Sequence, residues 1–552
     1  MSMQNWIIEL QTSLLQDAYA FLPELVVCGG IVLLLLLRLF TAFNRLHLGS
    51  VALLVSLMAL GFAGEQWWDF TQGKPEMFSG MLAYDRLTIF LRLFLLGFTA
   101  LVIWLTLLTG IPDREDSADF YCLLLGAVVG MSLMASANHL LMVFIGVEMA
   151  SLPSYALAGF LKGRRQSSEA ALKYVIYGGG ASGIMLYGIS LIAGKFGTAY
   201  LPDVAVGYGA ILSHSSTSGA FEPILLLGTL FIMIGIGFKL AAVPFHFWCP
   251  DVFEGASAEV AGFLSVASKG AALALLARFT LVLAGLSSGF PDPSTWLKMA
   301  QSMGPIIAFF AVLTATFGNL AAYLQTNLKR LLAYSTIAHA GYMMMGLATF
   351  TPQGASAVLF YLVVYLFMNL GAFAVVAFLR NQTGSEDLQS YRGLIQRCPV
   401  MVVTMAFFLL SLLGIPPLAG FAAKFQIFRV LYDAGQIYAE KAPNMSVIMY
   451  FLLVLLGLNT VISVVYYIKV LKVMILDKPL DEVEGRTPEP LAIPAAAQIY
   501  ATLLALVVLG LGIAWDPLAT VSEAGVDRFR LVQEGRAGTL QDAPVIPVER
   551  VR

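Results

Sequence analysis

The sequence predicts an all-α polytopic membrane protein with about fourteen transmembrane helices, two inverted five-helix repeats, and breaks in helices 7 and 12. Three observations carry this reading. Of the 552 residues 59% are hydrophobic and 12% charged, at a mean hydropathy of +0.81, whereas soluble domains carry about 25% charged residues. Apolar runs of about 20 residues, the length a helix needs to cross about 30 Å of hydrocarbon, tile the chain; a β-barrel would show short alternating segments instead. Two of the runs also hold prolines beside a lysine.

Polar breaks separate the runs in order. Spans 1 to 3 fall near residues 22–40, 46–64 and 87–109. Spans 4 to 8 fall near 119–136, 140–160, 169–194, 223–244 and 260–285. Spans 9 to 13 fall near 303–324, 328–349, 354–379, 400–432 and 446–474, and span 14 near 491–514. The 50 glycines suit close helix contact in lipid, where small residues let backbones approach. Span 7 carries Lys239 before Pro244 in GFKLAAVPFHFWCP, and span 12 carries Pro416 and Pro417 before Lys424 in GIPPLAGFAAKF. A helix broken at mid-membrane frees backbone groups that only protein or water can satisfy. The broken spans lie five apart, which suggests a five-helix unit used twice. An odd-numbered repeat is necessarily inverted, an arrangement that recurs in transporters. The expected units are 1–117 (spans 1 to 3), 118–286 (first repeat), 287–478 (second repeat) and 479–552 (span 14 and a polar tail).

Lysine and arginine set the orientation. Odd-numbered loops hold Arg38 and Arg45; Lys162, Arg164 and Arg165; Lys329 and Arg330; Arg380, Arg392 and Arg397; and Lys469, Lys472, Lys478 and Arg486. Even-numbered loops are poorer, with Lys74, Arg86, Lys195, Lys298 and Lys441 scattered among them. The odd loops are therefore expected in the cytoplasm and both termini outside. Arginines of the tail, from Arg528 to Arg552, run against this but begin a dozen residues or more past span 14. The acids Asp113, Glu115 and Asp116 weigh little on topology. The start, with Glu9 and Asp17, lacks the basic region of a cleavable signal, so span 1 is expected to be retained. The net charge of −2 argues against nucleic acid as a partner. Cys28, Cys122, Cys249 and Cys398 form no C-x-x-C pair and read as packing, with no metal site signalled.

Charges inside the spans need a reason. Glu148 sits in the middle of LLMVFIGVEMASLPSYALAGF, Lys239 lies well inside span 7, Lys269 lies in GFLSVASKGAALALLARF, and Lys424 follows the double proline. A mid-bilayer lysine costs roughly 2.5–3.5 kcal/mol on insertion scales, so three cost on the order of 8–10 kcal/mol before pairing. Snorkelling or a purely structural ion pair accounts for one such group more readily than for four, two of them at helix breaks. Chemically, a buried lysine is a proton site whose affinity burial lowers and a neighbouring carboxylate raises. Glu148 reads as the only deep carboxylate, and Lys239 is its expected partner. Lys269, near Ser265 and Ser268, could pass a proton onward, with Lys424 last before the far side. Thr314, Asn319 and Asn369 offer polar footing between them. Among secondary candidates, Lys173 is within snorkelling reach of the interface, Lys329 is a topology signal that also faces a polar entrance, and His246 lies two residues past Pro244. His339, in AYSTIAHAGYMMMG, fits a packing and a relay role equally.

No P-loop and no G-x-G-x-x-G after a strand is present, and Gly178 to Gly180 lie inside span 6. The chain thus moves charge without a visible energy source of its own. The runs FIGVEMASLPSYALAGF, EAALKYVIYGGGASGIMLYGISLI, GFKLAAVPFHFWCPDVFEGA, NLKRLLAYSTIAHAGYMMMG, EDLQSYRGL and SLLGIPPLAGFAAKF closely resemble the antiporter-like membrane subunits of respiratory complex I, over about residues 85 to 475. In that family a glutamate of span 5 and lysines of spans 7, 8 and 12 form a proton channel, which falls on Glu148, Lys239, Lys269 and Lys424.

The resemblance implies a proton-translocating subunit of an NADH-quinone oxidoreductase in the bacterial inner membrane, itself without a redox centre. NAD, FMN, iron–sulfur clusters and quinone are then expected in partner subunits. The expected neighbours are the M-type antiporter-like subunit, the small membrane subunits and the lipid bilayer. The L type carries a long lateral helix after its last spans, and the M type a glutamate where Lys424 stands; this chain departs from both, toward the N type. A Mrp-type cation/proton antiporter, or the equivalent subunit of a ferredoxin-driven or hydrogenase-type complex, is the alternative. A polytopic enzyme of lipid or glycan metabolism would want a larger interfacial loop.

Overall fold

The computed structural model describes residues 14–40, 47–70, 76–113, 116–214, 222–286, 295–479, 482 and 489–530. Glu9, Arg45, Lys74, Glu115, Arg486 and the tail past residue 530 lie outside the described residues. The described residues are 83% helical, and the one sheet among them is a two-residue hairpin, β1 (Glu76–Met77) with β2 (Leu82–Ala83).

Spans 1 to 6 are Leu22–Leu39, Leu48–Trp68, Arg86–Thr109, Ser117–Ser136, Leu140–Ala158 and Arg165–Phe196. Span 7 is split into Pro223–Leu240 and Trp248–Gly255, and span 8 runs Ala258–Leu283 with a π-helical turn at Leu264–Ser268. Spans 9 to 11 are Thr295–Ala322, Leu328–Leu347 and Pro352–Thr383. Span 12 is split into Pro399–Leu413 and Ala419–Lys441, followed by span 13 (Pro443–Ile475) and span 14 (Ala495–Ile513). Short helices Leu201–His214 and Asp516–Ala524 lie after spans 6 and 14. Ends follow local chemistry: Asp85 caps span 3 by accepting from Thr88 N at 2.8 Å, Asn327 caps span 10 through Arg330 N at 3.1 Å, and Gly110, Gly197 and Gly384 end helices in the left-handed region.

Among the described residues twelve helices are long and apolar enough to cross a membrane. The two expected spans that fall short have physical reasons. Span 12 is divided by its break into pieces of 15 and 23 residues. Span 10 is buried along almost its whole length, so protein rather than lipid surrounds its Ser335, Thr336 and His339. The whole apolar stretch of span 8 is buried, against 28% in spans 1 and 13, which puts spans 8, 10 and 11 at the centre.

The loops sort into two faces. Leu82 pairs with Ala137, and His139 with Tyr200, all from even loops. Asn327 pairs with Asp387, Leu491 N donates to Arg397 O at 3.1 Å, and Lys162 meets Asp116 at 2.8 Å, all from odd loops. On the even face Tyr200 donates to Glu76; burial first, then this carboxylate, pushes the phenol up to about 12.

Glu148 is not the only buried carboxylate. Glu24, Asp85 and Glu259 are each at most 3% exposed, while Glu148 itself is only half-buried. Two of the three are neutralised by arginines from distant spans. Arg92 Nε reaches Glu24 at 2.7 Å and also meets Gln66, joining spans 1 to 3. Arg278 binds Asp85 through two bonds of 2.7 and 2.9 Å, joining spans 3 and 8. The three acids lie in the first turn of their helices or at its cap, where the sequence reading takes an ionisable group for one at the membrane surface.

Candidate functional site

Both breaks bring a lysine to a helix end. Pro223–Leu240 terminates at Ala241, whose φ of 54° is left-handed. The freed groups find protein partners: Val243 N donates to Thr314 Oγ1 at 3.0 Å, and Trp248 Nε1 donates to Phe238 O at 2.9 Å. Thr314, expected as relay footing, thus serves the break. Lys239 stands in the last turn, where the negative end of the helix dipole favours a cation. It is 1% exposed, and its Nζ has no hydrogen-bond partner among the described residues. Glu148 lies within electrostatic reach of it but beyond ion-pair contact, and Glu148 Oε1 is likewise buried without a partner. Buried polar atoms that protein leaves unpaired are ordinarily hydrated.

The break in span 12 works differently. Gly414 ends the first half at φ 91°, and Lys424, from the second half, folds back to donate to Leu413 O at 2.9 Å. The amine therefore satisfies a carbonyl that the break set free. Its Nζ also sits 5.1 Å from the ring centre of Tyr342, and Gly420 N donates to Ser411 Oγ at 3.0 Å across the same gap.

Lys269 follows directly on the π-helical turn of span 8. Its Nζ donates to Thr336 Oγ1 at 2.6 Å and faces the ring of Phe253. Ser265 accepts from Asn369 Nδ2 one turn away.

Span 10 joins Lys269 to Lys424. Thr336, His339 and Tyr342 recur every three residues and so share one helix side over about 9 Å. Thr336 holds Lys269 and Tyr342 lies under Lys424. Between them His339 meets Tyr361 OH through Nδ1 at 2.8 Å and Tyr467 OH through Nε2 at 3.2 Å, and Tyr467 OH meets Ser335 Oγ at 2.6 Å. Each ring nitrogen faces a hydroxyl that can donate or accept, so either tautomer is satisfied. Asn319 donates to Tyr342 OH at 2.7 Å and accepts from Tyr466 OH at 3.0 Å, tying span 9 to spans 10 and 13.

The other candidates separate from this row. Lys173 is part-exposed and pairs with Glu169 at 2.8 Å and Asp251 at 2.6 Å, in a charge cluster with Arg330 and Glu254. Lys329 is buried and donates to Ala256 O at 2.6 Å and Glu386 at 2.9 Å. His246 packs between the rings of Phe247 and Phe317, and no described hydrogen bond links it to a core lysine. Sequence reading missed Thr336, Tyr342, Tyr361 and Tyr467. Each lies in an apolar run where a hydroxyl is unremarked until a lysine or histidine from another span is seen beside it.

A polytopic helical bundle with amines buried at two helix breaks is the architecture of an antiporter-like membrane subunit. The family model for NADH:quinone oxidoreductase/Mrp antiporter transmembrane proteins matches residues 137–449. NADH-quinone oxidoreductase subunit N of Anaeromyxobacter sp. (strain Fw109-5) is 40% identical over 527 residues, covering 94% of this chain and 98% of that protein. A chain of respiratory complex I from Thermus thermophilus is 30% identical, with a TM-score of 0.69 over 90% of this chain and 98% of its own. A chain of the Mrp complex from Dietzia sp. DQ12-45-1b shares the fold, with a TM-score of 0.75 at 20% identity over 95% of this chain and 99% of its own. The chain belongs to the NADH-quinone oxidoreductase subunit N family.

Proposed function

We propose that this chain is a proton-translocating membrane subunit of an NADH-quinone oxidoreductase, coupling quinone reduction elsewhere in the complex to proton transfer through its own core. The observation that supports this best is the row running from Lys269 through Thr336, His339 and Tyr342 to Lys424. Glu148 and Lys239 start the route: with neither group fixed by a protein partner, hydration and their mutual field govern when Lys239 holds its proton. Lys269 takes the proton next. His339, with a hydroxyl on each nitrogen, carries it toward Lys424, and the second half of span 12 leads to the other face.

In this reading spans 4 to 8 (118–286) and 9 to 13 (287–478) are inverted repeats, and each break falls on the fourth helix of its unit. The odd loops face the cytoplasm of a bacterial cell, with both termini outside. Flavin, iron–sulfur clusters and the NADH and quinone sites belong to partner subunits, and the M-type and small membrane subunits are neighbours. Lys239→Ala is expected to leave the complex assembled and to abolish most proton pumping by the purified complex in liposomes; full pumping in that variant removes the role of Lys239. The fold shared with the Mrp complex supports a second reading, cation/proton exchange. Na⁺/H⁺ exchange by the isolated chain in liposomes would favour it.

A further inference from the structure

Span 8 opens with a carboxylate that this route does not use. Glu259 is 1% exposed, and its Oε2 has no hydrogen-bond partner among the described residues. A place in the first helical turn favours its charge only modestly. Lys329 of span 10 is within electrostatic reach, but its amine is already engaged by Ala256 O and Glu386, and Arg380 of span 11 shares Glu386. Tyr121 of span 4 also lies in its field. The cluster holds two cations and two carboxylates, and Glu386, with a 14% exposed side chain, opens it toward the odd-loop face.

Two more orphaned polar atoms lie on the same seam. Span 11 ends at the face where span 8 begins, so the two helices run antiparallel past each other. Moving inward from Glu259, the seam presents Asn369, whose Nδ2 donates to Ser265 while its Oδ1 stays unpaired, and then Tyr365, whose hydroxyl is also unpaired. Tyr365 approaches Thr336, the residue that holds Lys269. The π-helical turn Leu264–Ser268 lies along this stretch, a feature that often marks functional sites. Glu259 and Lys269 are ten residues apart, about 15 Å of helix rise, too far for direct transfer, so the polar atoms between them and hydrating water must bridge the gap.

We propose that Glu259 is a proton-loading site that feeds Lys269 from the odd-loop face along the seam between spans 8 and 11, beside the route through Glu148 and Lys239. The aqueous phase protonates the carboxylate near Glu386 and Lys329; the proton passes by Ser265, Asn369 and water to the Lys269 amine, and Glu259 returns to its anion. The inference rests on Lys269 being part of the relay.

The test is proton pumping by the whole complex in liposomes with Glu259→Gln, Glu259→Asp and Lys269→Ala, measured at pH 6 and pH 8. Without an internal donor, Lys269 depends on bulk protons, whose concentration falls about a hundredfold over that interval. Glu259→Gln is therefore expected to pump within about twofold of the parent at pH 6 and roughly three- to tenfold more slowly at pH 8, with Glu259→Asp recovering most of the loss. Parental rates at pH 8 overturn the proposal, and so does an equal loss at both pH values, the signature of a structural charge. Should Glu259→Gln not assemble, Asn369→Ala is expected to give the same pH-dependent loss, and its absence overturns the proposal too. Parental pumping by Lys269→Ala instead removes the relay on which the inference stands.

Discussion

The three core lysines differ in what holds them, and their substitutions should differ accordingly. Lys424 closes a helix end and Lys269 a hydroxyl contact, whereas Lys239 is bound to no described group. Lys424→Met keeps the stem but leaves Leu413 O unpaired, at a cost of about 1–3 kcal/mol. It is expected both to lower pumping and to lower the temperature of thermal inactivation. Lys239→Ala, which strips no acceptor, is expected to lose pumping with little thermal effect; parallel activity and inactivation assays on the two variants check this contrast. His339 was open to two roles in the sequence. Its two tyrosine hydroxyls make it a polar junction, so His339→Phe, which fits the ring but pairs neither hydroxyl, is expected to slow pumping at least tenfold, the scale of a removed proton-transfer group. A pumping rate equal to the parent's would make it a packing residue.

Among elements, the breaks were legible because proline beside lysine inside an apolar run has no comfortable packing explanation. Their consequences were not, since satisfaction of the freed groups comes from Thr314 on span 9 and from Lys424's own reach backward. Gly414 shows how tightly the second break is drawn. At φ 91° a Cβ is strained, and it would also come within 3.0 Å of Lys424 Cδ. Gly414→Ala is therefore expected to cost roughly 1–2 kcal/mol and to disturb pumping by moving the lysine, measurable as a lower inactivation temperature together with a slower rate. Span 10, which carries Ser335, Thr336 and His339 among its apolar residues, is the axis of the site. Its polar residues are tolerated because spans around it, not lipid, form its surroundings.

For the molecule as a whole, two buried arginine–carboxylate pairs tie the first three spans to each other and to span 8. Removing one partner of such a pair leaves a buried charge unpaired and typically costs 3–5 kcal/mol. Asp85→Ala is therefore expected to reduce the amount of assembled complex in membranes, visible on native gels, before any effect on proton transfer can be read. Orientation is testable on the same scale: with the odd loops in the cytoplasm, a cysteine placed at Lys162 should react with a membrane-impermeant thiol reagent in inside-out vesicles, and one at Asp203 in right-side-out vesicles.

The sequence by itself determined the membrane class and the order of the spans, and it singled out the two breaks and the four ionisable positions of the proposed route, because hydrocarbon penalises charge and irregular backbone so heavily that the deepest exceptions stand out along a single chain. Tertiary structure alone decided which groups face one another. It placed Thr336 against Lys269 and Tyr342 under Lys424, set Glu148 near Lys239 without contact, drew Lys173 and Lys329 into peripheral ion clusters, and revealed Glu259 as a buried acid. Those pairings join residues dozens to hundreds of positions apart, and hydropathy, being a property of one stretch at a time, contains no record of which helix comes to lie beside which.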